Sequence, residues 1–380
     1  MKILQLHNFK MKGGGDEVVF TRTCEILQDQ GHEVLRLTKD SRQIKMTLSG
    51  KISAFKESIY SSRSAREMEA FLSRQSPAVV HVHNLFPLFS TSVLSVCRQQ
   101  KVPVYFHCHS FFLTCPIGYN FQNGKICKKC IRGNYLWCAM LNCRGNILES
   151  IAFSMQHAAA RKAGIMSELV ERFITPTHFA RNWLLAAGMP AEKVVSIANP
   201  IPVHEAAGDP ARGGYIAFVG RSSPEKGLET LLAAIQKTGL PLHVAGEFPQ
   251  TAMKGKNIVW RGYLSGPELA AFYRGARFLV VPSIWFETFA LVAGEAMSCG
   301  IPVIASRIGA LQEVVDDNRS GLLFNPGDAD DLAEKMAWLW RQPDECQKMG
   351  AAGRQKVKRE FSPDVYSREL LAVYKKAGRE

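Results

Sequence analysis

The sequence predicts an α/β protein built as two Rossmann-like domains in tandem. Three observations carry this. A chain of 380 residues exceeds what one ordinary core holds. Short β-branched runs alternate with helix-periodic ones, which implies parallel strands in doubly wound sheets. That alternation then stops at a Pro-, Gly- and Ala-rich break and starts again.

"KILQLH" opens the chain as a strand, followed by the turn "KMKGGGDE" and a helical run "VVFTRTCEILQDQGHEV", in which Val18, Cys24 and Leu27 recur near helical spacing and Gly31 is a stop. "EVLRLT" is the next strand. "AVVHVHN" and "VPVYFHCH" are two more, separated by the helix-like "STSVLSVCRQQK". Residues 196–214, "SIANPIPVHEAAGDPARGG", lack periodicity and read as the linker. After them come "YIAFVG", "PLHVAG", "NIVWRG", "RFLVVP" and "IPVIAS" as strands, and "LETLLAAIQKTG", "SGPELAAFYRGA" and "FALVAGEAMSCG" as helices. The expected domains are therefore 1–198 and 199–361, with a last helix in 362–380 that returns to the first.

Charge narrows the partners. Residues 1–200 hold 25 Lys and Arg against 13 Asp and Glu, whereas residues 201–380 hold 22 against 21. Nearly all of the net +13 thus lies in the first half, where an acidic partner is expected: nucleic acid, an anionic membrane face or a phosphate-bearing substrate. Between residues 41 and 75, Lys45, Lys51, Lys56, Arg63 and Arg66 alternate with Ile44, Met46, Ile52, Phe55 and Ile59, a basic amphipathic pattern suited to lipid headgroups or to a solvated helix face. No run approaches the ~20 apolar residues of a spanning helix, and the apolar part of "MKILQLHNFK" is short for a signal peptide, so a cytoplasmic protein is expected.

Three features point to chemistry. In "PSIWFETFALVAGEAMSCGIPVIAS", Glu287 stands in a loop after a buried strand and Glu295 about two turns into the next helix. Eight positions of helix span at most ~12 Å, comparable to the reach from a ribose across two phosphates to a sugar. The helix start supplies free N–H groups and the positive dipole end for the diphosphate. In "FVGRSSPEKGLETLLAAI", Arg221 and Lys226 lie in a strand-to-helix loop, where ligands bind in open parallel sheets, and two cations there can stabilise a leaving diphosphate without a metal. In "MKGGGDEVV", glycines after the first strand allow backbone N–H groups close to a phosphate, although the spacing is not G-x-G-x-x-G. Each also has a plainer reading: a helix-terminal Glu, surface cations and a tight turn.

Asp328-Ala329-Asp330 resembles a D-x-D metal motif, but after "NPG" it reads as a helix N-cap, and no catalytic metal is expected. Cys115, Cys127, Cys130, Cys138 and Cys143 fall within 29 residues and include C-x₂-C, an arrangement of the zinc type or simply a loop of reduced thiols.

Taken in order, "GGGDEVV", "VVHVHN", "PVYFHCHSFFLTCP", "FITPTHFARNWL", "NPI", "VGRSSPEKG", "PSIWFETFALVAGEAMSCGIPVIAS" and "GLLFNPGD" resemble the retaining family 4 glycosyltransferases of the bacterial surface-polysaccharide type, over essentially the whole chain. The resemblance implies the GT-B fold, two Rossmann-like domains facing a cleft, with the acceptor on the N-terminal domain and the donor on the C-terminal one. It implies metal-independent transfer of a sugar from a UDP- or GDP-sugar to a glycan or lipid-diphosphate-linked acceptor, with retention, in cell-surface polysaccharide or lipopolysaccharide biosynthesis.

By that likeness Glu287 meets donor-sugar hydroxyls with Thr288, Phe289, Ala290 and Leu291 beside it, and Glu295 meets the ribose. Arg221 and Lys226 neutralise the diphosphate, over which Gly14 and Gly15 close. His109 stands near the reaction centre, with His107 on the same side of the strand as its rival. Cys115, Cys127, Cys130 and Cys143 correspond to a structural zinc set in some members. Residues 309–311, "GAL", replace paired glycines, and Asp16 stands where a small residue is common. The expected location is the cytoplasm, peripheral at the inner membrane face, with an anionic membrane surface as partner and no nucleic acid. The rival readings are an epimerase-like enzyme of the same fold and a zinc-containing nucleic-acid-binding protein, the latter lacking a recognition helix or a stacking-rich sheet motif.

Overall fold

The computed structural model describes residues 1–11, 13–44, 47–248 and 256–377; Lys45 and Met46 of the basic amphipathic pattern lie outside them. The chain divides into two compact units. Unit 1 is Met1–Asn120, Cys127–Ile197 and Ser367–Glu380; unit 2 is Phe121–Ile126 and Ala198–Tyr366.

Unit 1 begins with β1 (Lys2–Phe9), α1 (Gly15–Asp29), β2 (Glu33–Asp40), α2 (Leu48–Ile59), α3 (Ser62–Gln75), β3 (Val79–Asn84), α4 (Thr91–Gln99) and β4 (Val104–His107). After the small antiparallel hairpin β5 (Phe121–Gln122) and β6 (Lys125–Ile126), it continues with α5 (Leu136–Met140), α6 (Ile147–Lys162), β7 (Arg172–Thr175), α7 (His178–Ala186) and β8 (Val194–Ser196). Its six strands are all parallel in the order β2-β1-β3-β4-β7-β8. β1 is buried from Ile3 to Asn8 on both faces, as a central parallel strand requires. In α1 the inward residues are Val19, Phe20, Cys24 and Leu27, while the expected Val18 faces outward.

Unit 2 contains β9 (Tyr215–Val219), α8 (Leu228–Thr238), β10 (Leu242–Ala245), β11 (Ile258–Gly262), α9 (Gly266–Arg274), β12 (Ala276–Val281), α10 (Leu291–Ser298), β13 (Val303–Ser306), α11 (Leu311–Val314), β14 (Gly321–Phe324), α12 (Ala329–Trp340) and α13 (Pro343–Lys356). The strand order is β11-β10-β9-β12-β13-β14, again all parallel. Successive residues of β12 face opposite layers: Leu279 and Val281 enter one core, Phe278 and Val280 the other.

The α14 helix (Pro363–Ala377) closes the chain, and its Tyr374 donates to His81 Nδ1 at 2.6 Å inside unit 1. Within residues 196–214, expected as the linker, the boundary between the units falls after Ile197, and residues 198–214 are packed into unit 2. Ile201 is fully buried, Gly208 N–H donates to the Cys299 carbonyl at 2.8 Å, and Arg354 donates to the Glu205 carbonyl at 2.7 Å. Pro and Gly there mark irregular backbone, which side chains and carbonyls of unit 2 hold in place.

Candidate active site

In unit 2 the strand order reverses between β9 and β12, the place where open parallel sheets bind ligands at the carboxyl ends of their strands. The loops leaving those two strands carry Arg221 with Lys226 and Glu287 respectively. They are tied together: Ile284 N–H donates to the Glu225 carbonyl at 3.0 Å, and Gly227, at φ +70°, lies so close to β12 that a Cβ there would sit 1.8 Å from the Pro282 carbonyl oxygen. That approach sets Lys226 Nζ 2.7 Å from Glu287 Oε1.

Glu287 is buried, and two more donors, Ser283 Oγ and Trp285 Nε1, each reach the same Oε1 at 2.9 Å. Burial raises its pKa, but the adjacent Lys226 ammonium and these hydrogen bonds outweigh it, so the carboxyl is held below its usual value and ionised. Lys226 also lies 5.2 Å over the Trp285 ring. Arg221 is half-exposed and 3.6 Å from Glu225.

Ala290 adopts the left-handed conformation, φ +66°, directly before α10. This turn delays the helix, so Glu295 is its fifth residue, one turn in rather than about two. Tyr273 donates to Glu295 Oε2 at 3.4 Å. The Phe289 side chain belongs to the core, edge-on to Phe361 at 5.2 Å, so at that position only the backbone faces the loop. Ala310 of the "GAL" loop is buried, and its N–H donates to the Glu287 carbonyl at 3.4 Å. Asp328 accepts from the N–H groups of Asp330 and Asp331 at 3.0 Å as the N-cap of α12.

Unit 1 holds a second concentration of chemistry. The alternation of β1, β3 and β4 sends Gln5 and His7, His81 and His83, and Tyr105 and His107 to one side of the sheet. His109 continues the row just past β4. His107 is fully buried, whereas His109 keeps an accessible edge, which separates the two candidates. His81, His83 and His107 have ring nitrogens within 4.8 Å of one another, the one such group of His, Cys, Asp or Glu among the described residues. Their rings stack with interplanar angles of 33°, 9° and 24°, so their in-plane lone pairs do not converge as a metal would need.

The hydrogen bonds instead form a line. Burial holds His83 and His109 well below the usual imidazole pKa, helped by neighbouring histidines, so both are neutral. His83 Nε2 lies 2.9 Å from Gln5 Oε1 and His83 Nδ1 lies 2.9 Å from His109 Nε2, so the tautomers of the two neutral histidines are coupled through this line.

Gly14 and Gly15 begin α1, whose first turn holds Asp16 and Glu17; Asp16 is buried and 2.7 Å from Lys10 Nζ. Cys130 and Cys138 form a small core with Tyr135, against which Cys143 packs. Burial pushes the Cys130 thiol up to about 12, and Cys115, Cys127 and Cys143 add to the shift, so the four thiols are electrostatic neighbours. Among the described residues they are not gathered within 4.8 Å as the three histidines are.

Ser283, Trp285 and Tyr273, which orient the two glutamates, and Gln5 and His83, which orient His109, were not found from the sequence. Only the alternation in "HVHN" and "FHCH" signals the histidine row.

Known proteins supply the context. The glycosyl transferases group 1 family model matches residues 204–356, and the Glycosyltransferase Family 4 model matches residues 13–205. The chain is 35% identical over 182 residues to a D-inositol 3-phosphate glycosyltransferase of Segniliparus rotundus, covering 43% of this chain and 40% of that one. It is 33% identical over 180 residues to an MMP alpha-(1->4)-mannosyltransferase of Mycolicibacterium hassiacum, covering 44% of each. The chain thus spans less than half the length of these curated relatives. Among solved structures, a sucrose-phosphate synthase from Thermosynechococcus elongatus superposes with a TM-score of 0.72 at 19% identity over 99% of both chains. HepE of Anabaena, solved with UDP and glucose, gives 0.66 at 14% over 98% of this chain and 99% of that one. These likenesses are to GT-B glycosyltransferases and bear out the two Rossmann-like domains. With its family model covering just over half of the sequence, the chain belongs to glycosyltransferase family 4.

Proposed function

We propose that the protein transfers a sugar from a nucleotide diphosphate donor, of UDP or GDP type, to a glycan or lipid-diphosphate-linked acceptor with retention of configuration, in surface-polysaccharide assembly. The observation that carries this reading is the Lys226–Glu287 pair on the two loops of the unit 2 switch point, at the head of the helix that bears Glu295.

Three donors occupy Glu287 Oε1, which orients the carboxylate while its other oxygen carries none of these bonds and accepts from sugar hydroxyls. The Thr288 to Leu291 backbone and the first N–H groups of α10 take the diphosphate. Glu295, steadied by Tyr273, takes the ribose. Arg221 and Lys226 stabilise the charge that gathers on the leaving phosphate. On the acceptor side, the neutral His109 imidazole meets a donor-sugar hydroxyl, and Gly14 and Gly15 leave room for phosphate. In a front-face displacement the anomeric carbon–phosphate oxygen bond breaks as the acceptor oxygen bonds to the same face. The acceptor proton passes to the departing phosphate oxygen, so no metal or covalent carboxylate takes part. A cytoplasmic location at an anionic membrane face supplies such an acceptor.

Thermal unfolding against UDP-, GDP-, dTDP- and ADP-sugars, without metal, tests the donor site. One nucleotide series at a hundred times its dissociation constant is expected to add ~2.7 kcal/mol, and Glu295→Ala to abolish the shift. No shift with any of them overturns the reading.

A structural zinc held by Cys115, Cys127, Cys130 and Cys143 belongs to the same proposal, supported by the mutual influence of their thiols. A bound zinc would draw the four thiolates together as its ligands. Metal analysis of the purified protein is expected to find one zinc per chain, lost in Cys130→Ser with a lowered melting point. A metal-free wild type of unchanged stability in chelator refutes it.

A further inference from the structure

The α6 helix is turned inside out. Ser150, Ser154, Gln156 and His157 face the interior, whereas Ile147, Leu148, Ile151 and Met155, at i, i+1, i+4 and i+8, form a stripe facing outward. Two of the inward polar groups are tied to the chain just before the helix, Ser150 Oγ to Asn142 Oδ1 at 3.1 Å and Ser154 Oγ to the Tyr135 carbonyl at 2.7 Å, while His157 Nδ1 donates to the Phe153 carbonyl at 2.8 Å. The two serine bonds hold this face inward. The neighbouring α5 repeats the pattern, burying Cys138 and turning Leu136 and Met140 outward. Leu136, Met140 and Leu148 are 70%, 71% and 72% exposed, and Met155 is 52% exposed. Large side chains held this far into water on two packed helices form a patch that water disfavours.

What surrounds the patch selects its partner. Residues 127–162 contain six Lys and Arg, Lys128, Lys129, Arg132, Arg144, Arg161 and Lys162, against one acid, Glu149. Lys129 lies 4.2 Å over the Trp137 ring, beside Leu136 in sequence, and the Arg144 guanidinium lies 4.6 Å over Phe153, between Ile151 and Met155. The α2 helix packs along α6 and shows Ile52 and Lys56 on its outer face. Apolar tips ringed by cations on long stems are the chemistry of a helix lying in the headgroup region of an anionic bilayer. A second copy on this face would bring the same cations against themselves in an isologous contact.

We infer that α5 and α6 form the surface by which this protein docks on an anionic lipid bilayer, inserting Leu136, Met140, Leu148 and Met155. The inference rests on the membrane-facing part of the proposed function and centres it on α5 and α6, beside Ile52 and Lys56 of the basic pattern at residues 41–75.

Co-sedimentation of the full chain with phosphatidylcholine vesicles, with and without phosphatidylglycerol, tests it. The wild type is expected to bind only the anionic vesicles, less so at high salt. Leu148→Glu with Met155→Glu is expected to weaken binding by at least roughly tenfold, since two inserted side chains are replaced by anions. Lys162→Glu should lower binding severalfold. The melting point and the nucleotide-sugar shift should stay unchanged in both variants, which separates loss of docking from loss of the donor site. The inference is overturned if the wild type ignores anionic vesicles at low salt, or if the double variant binds as tightly as the wild type. It is also overturned if light scattering shows a wild-type dimer that the double variant converts to monomer.

Discussion

Acidification from pH 7 to pH 5 is expected to unfold unit 1 before unit 2. His7, His81, His83, His109 and His157 all belong to unit 1, and burial holds each below the ordinary imidazole pKa, His7 and His157 at about 4. A base neutral in the folded state and protonated in the unfolded one contributes fully above the unfolded value of 6.5. That contribution falls as pH drops toward the folded value. For His7 at pH 5 the loss is about 2 kcal/mol. The other four histidines act with the same sign, against a domain stability of about 5–15 kcal/mol. In unit 2 the buried Glu287 works in a lower window, because its stabilisation is present above the usual carboxyl value and is lost only below it. Calorimetry across this range should show one transition moving down steeply while the other, in the unit where His243 is only partly buried, moves less. Coincident transitions that move together would contradict the prediction.

His7→Phe isolates one term. The ring stacks on Phe20 at 4.7 Å and 19°, meets Phe9 edge-on, and neither ring nitrogen has a hydrogen-bond partner among the described residues. Phenylalanine fits this aromatic setting without a titrating group, so the variant should gain more stability at pH 5 than at pH 7.5.

Gly227→Ala is expected to lose the donor-induced stabilisation and to cost unit 2 more than 2 kcal/mol. The left-handed backbone alone costs an alanine about 1–2 kcal/mol. Here the methyl would also lie 1.8 Å from the Pro282 carbonyl oxygen, so the Lys226 loop must lift from β12 and part from Glu287. Gly239→Ala is the control: φ is +67° at the end of α8, with nothing within 4 Å of the added methyl. Urea unfolding should separate the two variants by the steric part, and only Gly227→Ala should blunt the nucleotide-sugar shift. Equal behaviour would mean that the close approach does not position Lys226.

The fold was legible because parallel strands buried on both faces appear as β-branched runs, and because "YIAFVG" and "RFLVVP" restart the alternation seen in "KILQLH". The site was legible only one residue at a time. Glu287, Arg221 and Lys226 each stood out in a strand-end loop, but Lys226 and Glu287 are 61 positions apart, and their pairing depends on strand order, which local pattern does not carry. The histidine row needed the register of β1, β3 and β4 for the same reason. Residues 196–214 do contain the boundary between the units, but Pro and Gly density reports irregular backbone rather than slack, so the packing of 198–214 was not legible. The reversed polarity of α6 is hidden from periodicity, which gives the stripe but not the side that faces water.

Tyr374 bonds His81, and the Tyr105 hydroxyl donates to the Val373 carbonyl at 3.3 Å, so the last helix completes a unit whose other strands were all laid down before residue 198. Apart from the short hairpin Phe121–Ile126, unit 2 is a single stretch inserted before the last piece of unit 1. During synthesis from the N-terminus, Ala198–Tyr366 can close its own core as it emerges. The earlier half must wait on the ribosome, with the β3 and β4 face uncovered, until the residues after 367 arrive. The first unit to be translated is therefore the last to be finished, and a chain truncated after residue 366 would hold a folded second unit beside an open first one.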